Sequence, residues 1–309
     1  MLTVTHNHGG QAIHTYEPNL PQANEVYIKT LKEKLLTLAT ESMKNPQPFS
    51  MGLGKTKCNV NINRPTVFAD GGVWLGRNPD GPCDHELDVI KFVDQNNNLT
   101  AVWVNWPCHG TVMGQDNYLI TGDWPAAAAR YIRKCSGKDI VVAVTAGASA
   151  NINPIYGPGN DFSEVEAVGF HVGKEVCKAL SQVKTAPVHA LQLAHSHLSY
   201  PEKKSWTDQF PQTSYPTGNE GSVQLNGLKL DIIVLCGVSG ELMTEIGGQV
   251  KKASPYPNTI LFTHCNGLSG YICTDKAFTE GGYETKVSHF MPGIEQPLIN
   301  KCLQLIRSF

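Results

Sequence analysis

The sequence predicts an α/β fold in a single domain, 1–309, with a mixed sheet flanked by helices. Two observations carry that expectation. Short β-branched apolar runs alternate along the chain with segments of helical periodicity, and one pair of runs carries a hairpin signal that makes the sheet mixed. No internal repeat, low-complexity tract or change of composition divides the 309 residues.

The elements follow in order. Ile28, Leu31, Leu35 and Leu38 recur at helical spacing, which predicts a helix from Asn24 to Met43. The Gly/Asn/Pro-rich stretch from Gly52 to Pro82 reads as short strands and loops. Val89–Val93 and Thr100–Trp106 read as strands joined across Asp94-Gln95-Asn96-Asn97-Asn98. A helix over Trp124–Arg133 opens with Asp123 as its cap and Pro125 in its first turn. Ile140–Val144 is a buried strand, Glu164–Leu180 a helix and Val188–Leu198 a strand. A strand over Leu228–Leu235, a helix over Glu241–Lys252, a strand over Thr259–Thr263 and a helix over Pro297–Ile306 complete the chain.

Composition narrows the function classes. With a formal charge of -2 there is no basic field to hold nucleic acid. No apolar run reaches the roughly 18 residues of a membrane span, and the N-terminus lacks the pattern of a signal peptide. Nine cysteines occur without a CxxC pair, several inside strand-like runs where a free thiol acts as a small core residue. That usage points to a reducing, cytoplasmic setting.

Four segments carry possible chemistry. His6-Asn7-His8 in an extended segment puts two imidazoles on one face, since strand side chains alternate. The pair reads as two metal ligands, as one ligand beside one catalytic group, or as incidental histidines of a terminus. His109 follows the strand ending Asn105-Trp106-Pro107-Cys108, where open α/β sheets place functional groups, although a core histidine fits that position too. Glu241 stands at a strand-to-helix junction, as an oxygen ligand or as a charge favoured by the helix dipole. The fourth is the glycine-rich Asn266–Thr274.

Other patterns drop out. Gly52-Leu53-Gly54-Lys55-Thr56 lacks the first glycine of a phosphate loop, and Gly147-Ala148-Ser149-Ala150-Asn151 is no nucleophile elbow. His195 and His197 share a strand face and read as exposed strand histidines.

Taken in order, His6-Asn7-His8-Gly9-Gly10, Asn61-Ile62-Asn63-Arg64, Cys108-His109-Gly110, Gly240-Glu241-Leu242-Met243-Thr244 and Tyr271-Ile272-Cys273-Thr274 resemble the motifs of the neutral/alkaline non-lysosomal ceramidase family. Asn78-Pro79-Asp80-Gly81-Pro82 and Gly122-Asp123-Trp124-Pro125 extend the similarity over essentially the whole chain. The resemblance implies a Zn²⁺ site held by His6, His109, Glu241 and Tyr271. It implies that His8 stabilises an oxyanion or moves a proton and that Arg64 contacts the substrate. The implied reaction is hydrolysis of a linear amide, N-acylsphingosine among them, by zinc-activated water. The implied partner is a small-molecule or lipid amide.

Asn153 stands where the family carries a catalytic serine, so direct attack by water replaces a covalent serine route. The chain begins short of the family's N-terminal segment and lacks its C-terminal β-sandwich, which opens a smaller amide or ester as substrate. A zinc-dependent esterase or lactonase and a catalytically silent zinc-binding relative are the alternatives. A secreted or periplasmic location, as in the family, is the alternative to the cytoplasm.

Overall fold

The computed structural model describes residues 1–11, 25–137, 139–204 and 215–309. Among these residues the strands fall into four sheets rather than one; the two larger are stacked with a helical layer outside each, and the smaller two are Val73–Asn78, Asn61–Val67, Ile152–Pro154 and the pair Glu241–Leu242, Tyr271–Ile272. The first sheet runs in the order Val141–Ala146, Leu99–Trp106, Glu86–Val93, Ser50–Lys57, Ala186–Pro187. Only its first two strands are parallel; the hairpin between Glu86–Val93 and Leu99–Trp106 is antiparallel, as the loop signal predicts.

Strand alternation explains why this sheet has two buried faces. Leu87, Val89, Val102, Val104 and Trp106 point to one side, where they meet Ile132, Val168 and Val172 of the helices Asp123–Ser136 and Phe162–Gln182. Ile90 and Trp103 point to the other side, against Ile233, Leu235, Ile260 and Phe262 of the second sheet. That sheet has the order Thr259–Phe262, Ile233–Val238, Thr217–Leu230, Leu191–Lys203. Its outer face, with Leu225, Val234 and Cys236, is covered by Ile246 and Val250 of the helix Thr244–Ala253 and by Leu298, Cys302 and Ile306 of the helix Glu295–Arg307. The result is a four-layer αββα sandwich with three apolar seams.

Close approach explains the glycines of the discarded phosphate-loop pattern. Gly52 and Gly54 lie in the strand Ser50–Lys57, and a Cβ at either would strike Val183 or Lys184, just past the helix Phe162–Gln182. The two helices of the first outer layer also meet through small residues, Gly169 lying against Ala127 and Ala128.

Several boundaries differ from expectation. The apolar run Leu228–Leu235 is the tip of a hairpin, with Leu230 paired to Ile233 and Asp231 at a φ of 47°. Hydrophobicity alone hides such a turn; Asp231 stabilises it by accepting the backbone N–H of His189 and Ala190 at 2.9 Å each. The helix expected from Glu241 starts at Thr244, because Glu241 and Leu242 are paired in a parallel ladder with Tyr271 and Ile272. Asp123 is not an N-cap: it lies inside the helix start at a φ of 50°, and its buried carboxylate accepts the N–H groups of Val112, Met113 and Trp124. The first helix covers Glu25–Lys44, its expected start at residue 24 lying outside the described residues, and none of its residues is buried. Among the described residues, no helix is long and apolar enough to cross a membrane.

Candidate metal centre and cleft

The site forms where parallel strands of both sheets end side by side. Leu99–Trp106 leads to His109 and Val141–Ala146 leads to Asn151–Asn153 in the first sheet. Ile233–Val238 leads to Glu241 and Thr259–Phe262 to His264 in the second. The N-terminal segment is laced across these ends. The N–H of His8 donates to the Gly110 carbonyl at 3.0 Å and that of Gly110 to the His6 carbonyl at 3.2 Å. Leu2 exchanges hydrogen bonds with Asn266.

Four side chains converge. His6 Nε2 lies 3.1 Å from Glu241 Oε2, His109 Nε2 lies 3.4 Å from the same oxygen, and His264 Nε2 lies 3.5 Å from Glu241 Oε1. The rings of His6 and His264 stack at 4.0 Å, and His6 meets His109 edge-on at 4.5 Å. His8 adjoins the group, its Nε2 3.5 Å from that of His6. His264 is the member that sequence reasoning missed. The only signal for it was a histidine two residues past an apolar strand, the same signal that singled out His109.

The backbone sets the direction of the donor atoms. His109 Nδ1 lies 3.0 Å from the Ile152 carbonyl, which accepts only a proton-bearing nitrogen. Nε2 is therefore bare and faces Glu241. Burial, then Arg64 and His6, hold this ring well below the usual histidine range. Thr263 Oγ1 lies 3.0 Å from His264 Nδ1 and 3.3 Å from the carbonyls of Ala146 and Gly147; with its proton on those carbonyls it accepts from Nδ1, the tautomer that leaves Nε2 bare. Burial and His6 push His264 down as well. Burial by itself raises the Glu241 carboxyl, yet the charge of His6 beside it holds it well below the ordinary range.

Buried polar atoms normally find partners. Here His109 Nε2, His264 Nε2 and Glu241 Oε2 make no hydrogen bond although each is buried. These unpartnered atoms gather at the Glu241 carboxylate, and the donor atoms of His6, Glu241 and His264 lie within 4.8 Å of one another, close enough to hold one cation. Imidazole nitrogens and a carboxylate suit zinc in type, so these residues fit the metal that the resemblance implies.

A cleft of about 570 Å³ opens beside this cluster, lined by His8, Arg64, Met113, Asn153, Tyr271 and Tyr283 among others. His8 faces it. The ring is exposed at the cleft, yet the protein mass beside it, and next the charge of His6, push His8 down to about 4, so it is neutral at pH 7.

Arg64 is buried under the cleft wall with every guanidinium nitrogen engaged. Nε donates to Glu284 at 2.6 Å, Nη1 to Asn153 Oδ1 at 3.1 Å and Nη2 to the Tyr271 hydroxyl at 3.1 Å. All seven residues singled out from the sequence thus meet in one place, in two groups. His6, His8, His109 and Glu241 form the first; Arg64, Asn153 and Tyr271 form the second. His195 and His197 lie elsewhere, on Leu191–Lys203, with His195 hydrogen-bonded to Asn226.

No family model matches the chain, and no curated protein matches it in sequence. Solved structures do. The crystal structure of neutral ceramidase from Pseudomonas aeruginosa superposes with a TM-score of 0.70 and 16% identity, over 93% of this chain and 57% of that one. A ceramidase complexed with C2 superposes with a TM-score of 0.65 and 16% identity, over 84% of this chain and 53% of the other. The chain has a neutral ceramidase-like fold along nearly its whole length, and it spans a little over half the length of either ceramidase.

Proposed function

We propose that the chain is a zinc-dependent hydrolase that cleaves a linear amide, ceramidase-like in releasing a carboxylic acid and an amine. N-acylsphingosine is one such substrate. The observation that carries the proposal is the convergence of bare nitrogen and oxygen atoms from His109, His264 and Glu241, with His6 beside them, at the head of a cleft of about 570 Å³. Held by these residues, zinc would polarise a carbonyl and lower the pKa of a water toward neutrality.

The remaining chemistry falls to the cleft residues. His8, neutral at pH 7, either donates its N–H hydrogen bond to the oxygen that gains charge as water adds to the carbonyl carbon, or takes the proton that the water loses and carries it to the departing nitrogen. When the C–N bond breaks, the amine takes that proton. Arg64 reaches the reaction indirectly. Its charge is matched by Glu284, and it fixes the Asn153 carboxamide and the Tyr271 hydroxyl on the cleft wall. Because Asn153 Oδ1 accepts from Arg64, the amide N–H groups of Asn153 are those offered to substrate.

The size of the cleft suits a drug-sized ligand, which favours a smaller amide or ester as the second reading within the same site. Elemental analysis and an amide and ester panel test both. Wild-type protein is expected to carry stoichiometric zinc and to hydrolyse an amide, and His109→Ala to lose both. Folded, zinc-replete protein that cleaves no amide or ester refutes the hydrolase. Zinc without turnover leaves a metal-stabilised binding protein.

A further inference from the structure

We propose that His264 is a protein ligand of this zinc site, and that Tyr271 stays outside the coordination shell as a cleft hydrogen-bonding group. This rests on the zinc-hydrolase reading and departs from the ligand set that the sequence resemblance implies.

Geometry comes first. Ligand atoms about 2.1 Å from a tetrahedral centre stand about 3.4 Å apart. His6 and His109 stand 3.1 and 3.4 Å from Glu241 Oε2, and His264 stands 3.5 Å from Oε1 of the same carboxylate, so His264 faces the group at a ligand's spacing through the second oxygen. The donor atoms of His6, Glu241 and His264 all lie within 4.8 Å of one another.

Preparation comes second. With the Thr263 hydroxyl proton on the carbonyls of Ala146 and Gly147, Thr263 Oγ1 accepts from His264 Nδ1, and Nε2 keeps its lone pair for the centre. A ligating histidine is normally oriented by such a partner on its other nitrogen. His109 is prepared in the same manner by the Ile152 carbonyl.

The backbone adds an independent sign. His264 has a φ of 56°, a left-handed conformation that a histidine adopts at a cost, and His6 has a φ of 55°. Such strain persists where surrounding structure imposes it, and it gathers at functional sites. At His264 the left-handed backbone accompanies a ring that is buried against His6 and next to Glu241 rather than continuing the apolar face of Thr259–Phe262.

Tyr271 is committed elsewhere. Its hydroxyl accepts from the Arg64 guanidinium at 3.1 Å, and Arg64 is itself anchored on Glu284. Tyr283 is the second hydrogen-bonding neighbour of Tyr271, and both tyrosines line the cleft. The ladder that pairs Glu241 with Tyr271 keeps the tyrosine beside the cluster, where the resemblance implies a ligand.

Zinc affinity of the full chain, measured by competition with a chromophoric chelator, tests the assignment. His264→Ala is expected to bind zinc about 100-fold more weakly, and Tyr271→Phe within about threefold of wild type. X-ray absorption at the zinc edge of the wild-type protein gives a readout free of any folding defect: three imidazoles are expected. Two imidazoles, an unchanged affinity in His264→Ala, or a large loss in Tyr271→Phe overturns the assignment while leaving the hydrolase standing. A wild-type protein that takes up no zinc overturns both.

Discussion

Removing the Glu284 carboxylate should be the most damaging single change outside the metal cluster. The Arg64–Glu284 pair joins Nε to Oε1 at 2.6 Å, with side chains 4% and 3% exposed, so neither charge is compensated by water. Breaking a buried ion pair from one side costs about 3–5 kcal/mol, because the surviving charge stays desolvated. In Glu284→Ala, Arg64 keeps two neutral acceptors, Asn153 and Tyr271, each at 3.1 Å. That places the loss near the lower end, about 3 kcal/mol, or a fall in Tm of about 4–5 °C for a chain of this size. Glu284→Gln retains an uncharged acceptor and should lose about half as much. Urea denaturation of the three proteins measures these values. Steady-state kinetics then asks whether Asn153 and Tyr271 have lost their position: kcat should fall about tenfold with a smaller change in KM. A Glu284→Ala protein destabilised by under about 1 kcal/mol, or one equal to Glu284→Gln, refutes the view that Arg64 is a buried charge held in place by Glu284.

Two further outcomes follow from packing and charge. Asp88 is buried between the sheets, and burial, opposed in part by Lys55, pushes its carboxyl up to about 6 from an ordinary 3.8. The native state therefore holds this proton more tightly than the unfolded chain. The stability it confers is complete below about 3.8 and lost as pH rises through about 6. Asp88→Asn should accordingly stabilise the protein at pH 7.5 by up to about 3 kcal/mol and have little effect at pH 3.5, as read from denaturation midpoints at the two pH values. At the helix crossing, Gly169→Ala raises intrinsic helix propensity by about 1 kcal/mol, but the added methyl falls on Ala127. Overpacking should prevail, with a net loss of about 1–2 kcal/mol in thermal unfolding; a stabilised variant would show that the two helices can move apart freely.

Much of this protein is written in local pattern. His6 and His8 do come together, their Nε2 atoms 3.5 Å apart, but not by the expected strand alternation: His6 has a φ of 55°, so the segment is not extended there. The Asp94–Asn98 loop signal predicts the antiparallel hairpin, and helical periodicity finds the helices Asp123–Ser136, Phe162–Gln182 and Glu295–Arg307 to within a few residues. The types of residue suited to a metal are visible at His6, His109 and Glu241 because histidines and carboxylates at strand ends carry that chemistry wherever they occur.

Tertiary structure decided the rest. Local pattern does not say which strands become neighbours, so one sheet or two stacked sheets were equally compatible with the alternation. The parallel pairing of Ile233–Val238 with Thr259–Phe262 brings His264 to Glu241, residues 23 positions apart in sequence whose facing atoms lie 3.5 Å apart. Glu284, 220 residues beyond Arg64, carries no mark in the sequence of being its counter-charge. Asn151, which accepts the Thr244 N–H at 2.9 Å, caps a helix 93 residues away, where sequence reading assigned the helix start to Glu241. In each case the deciding interaction is between segments whose proximity depends on sheet stacking, a property of the whole chain that no window of residues contains.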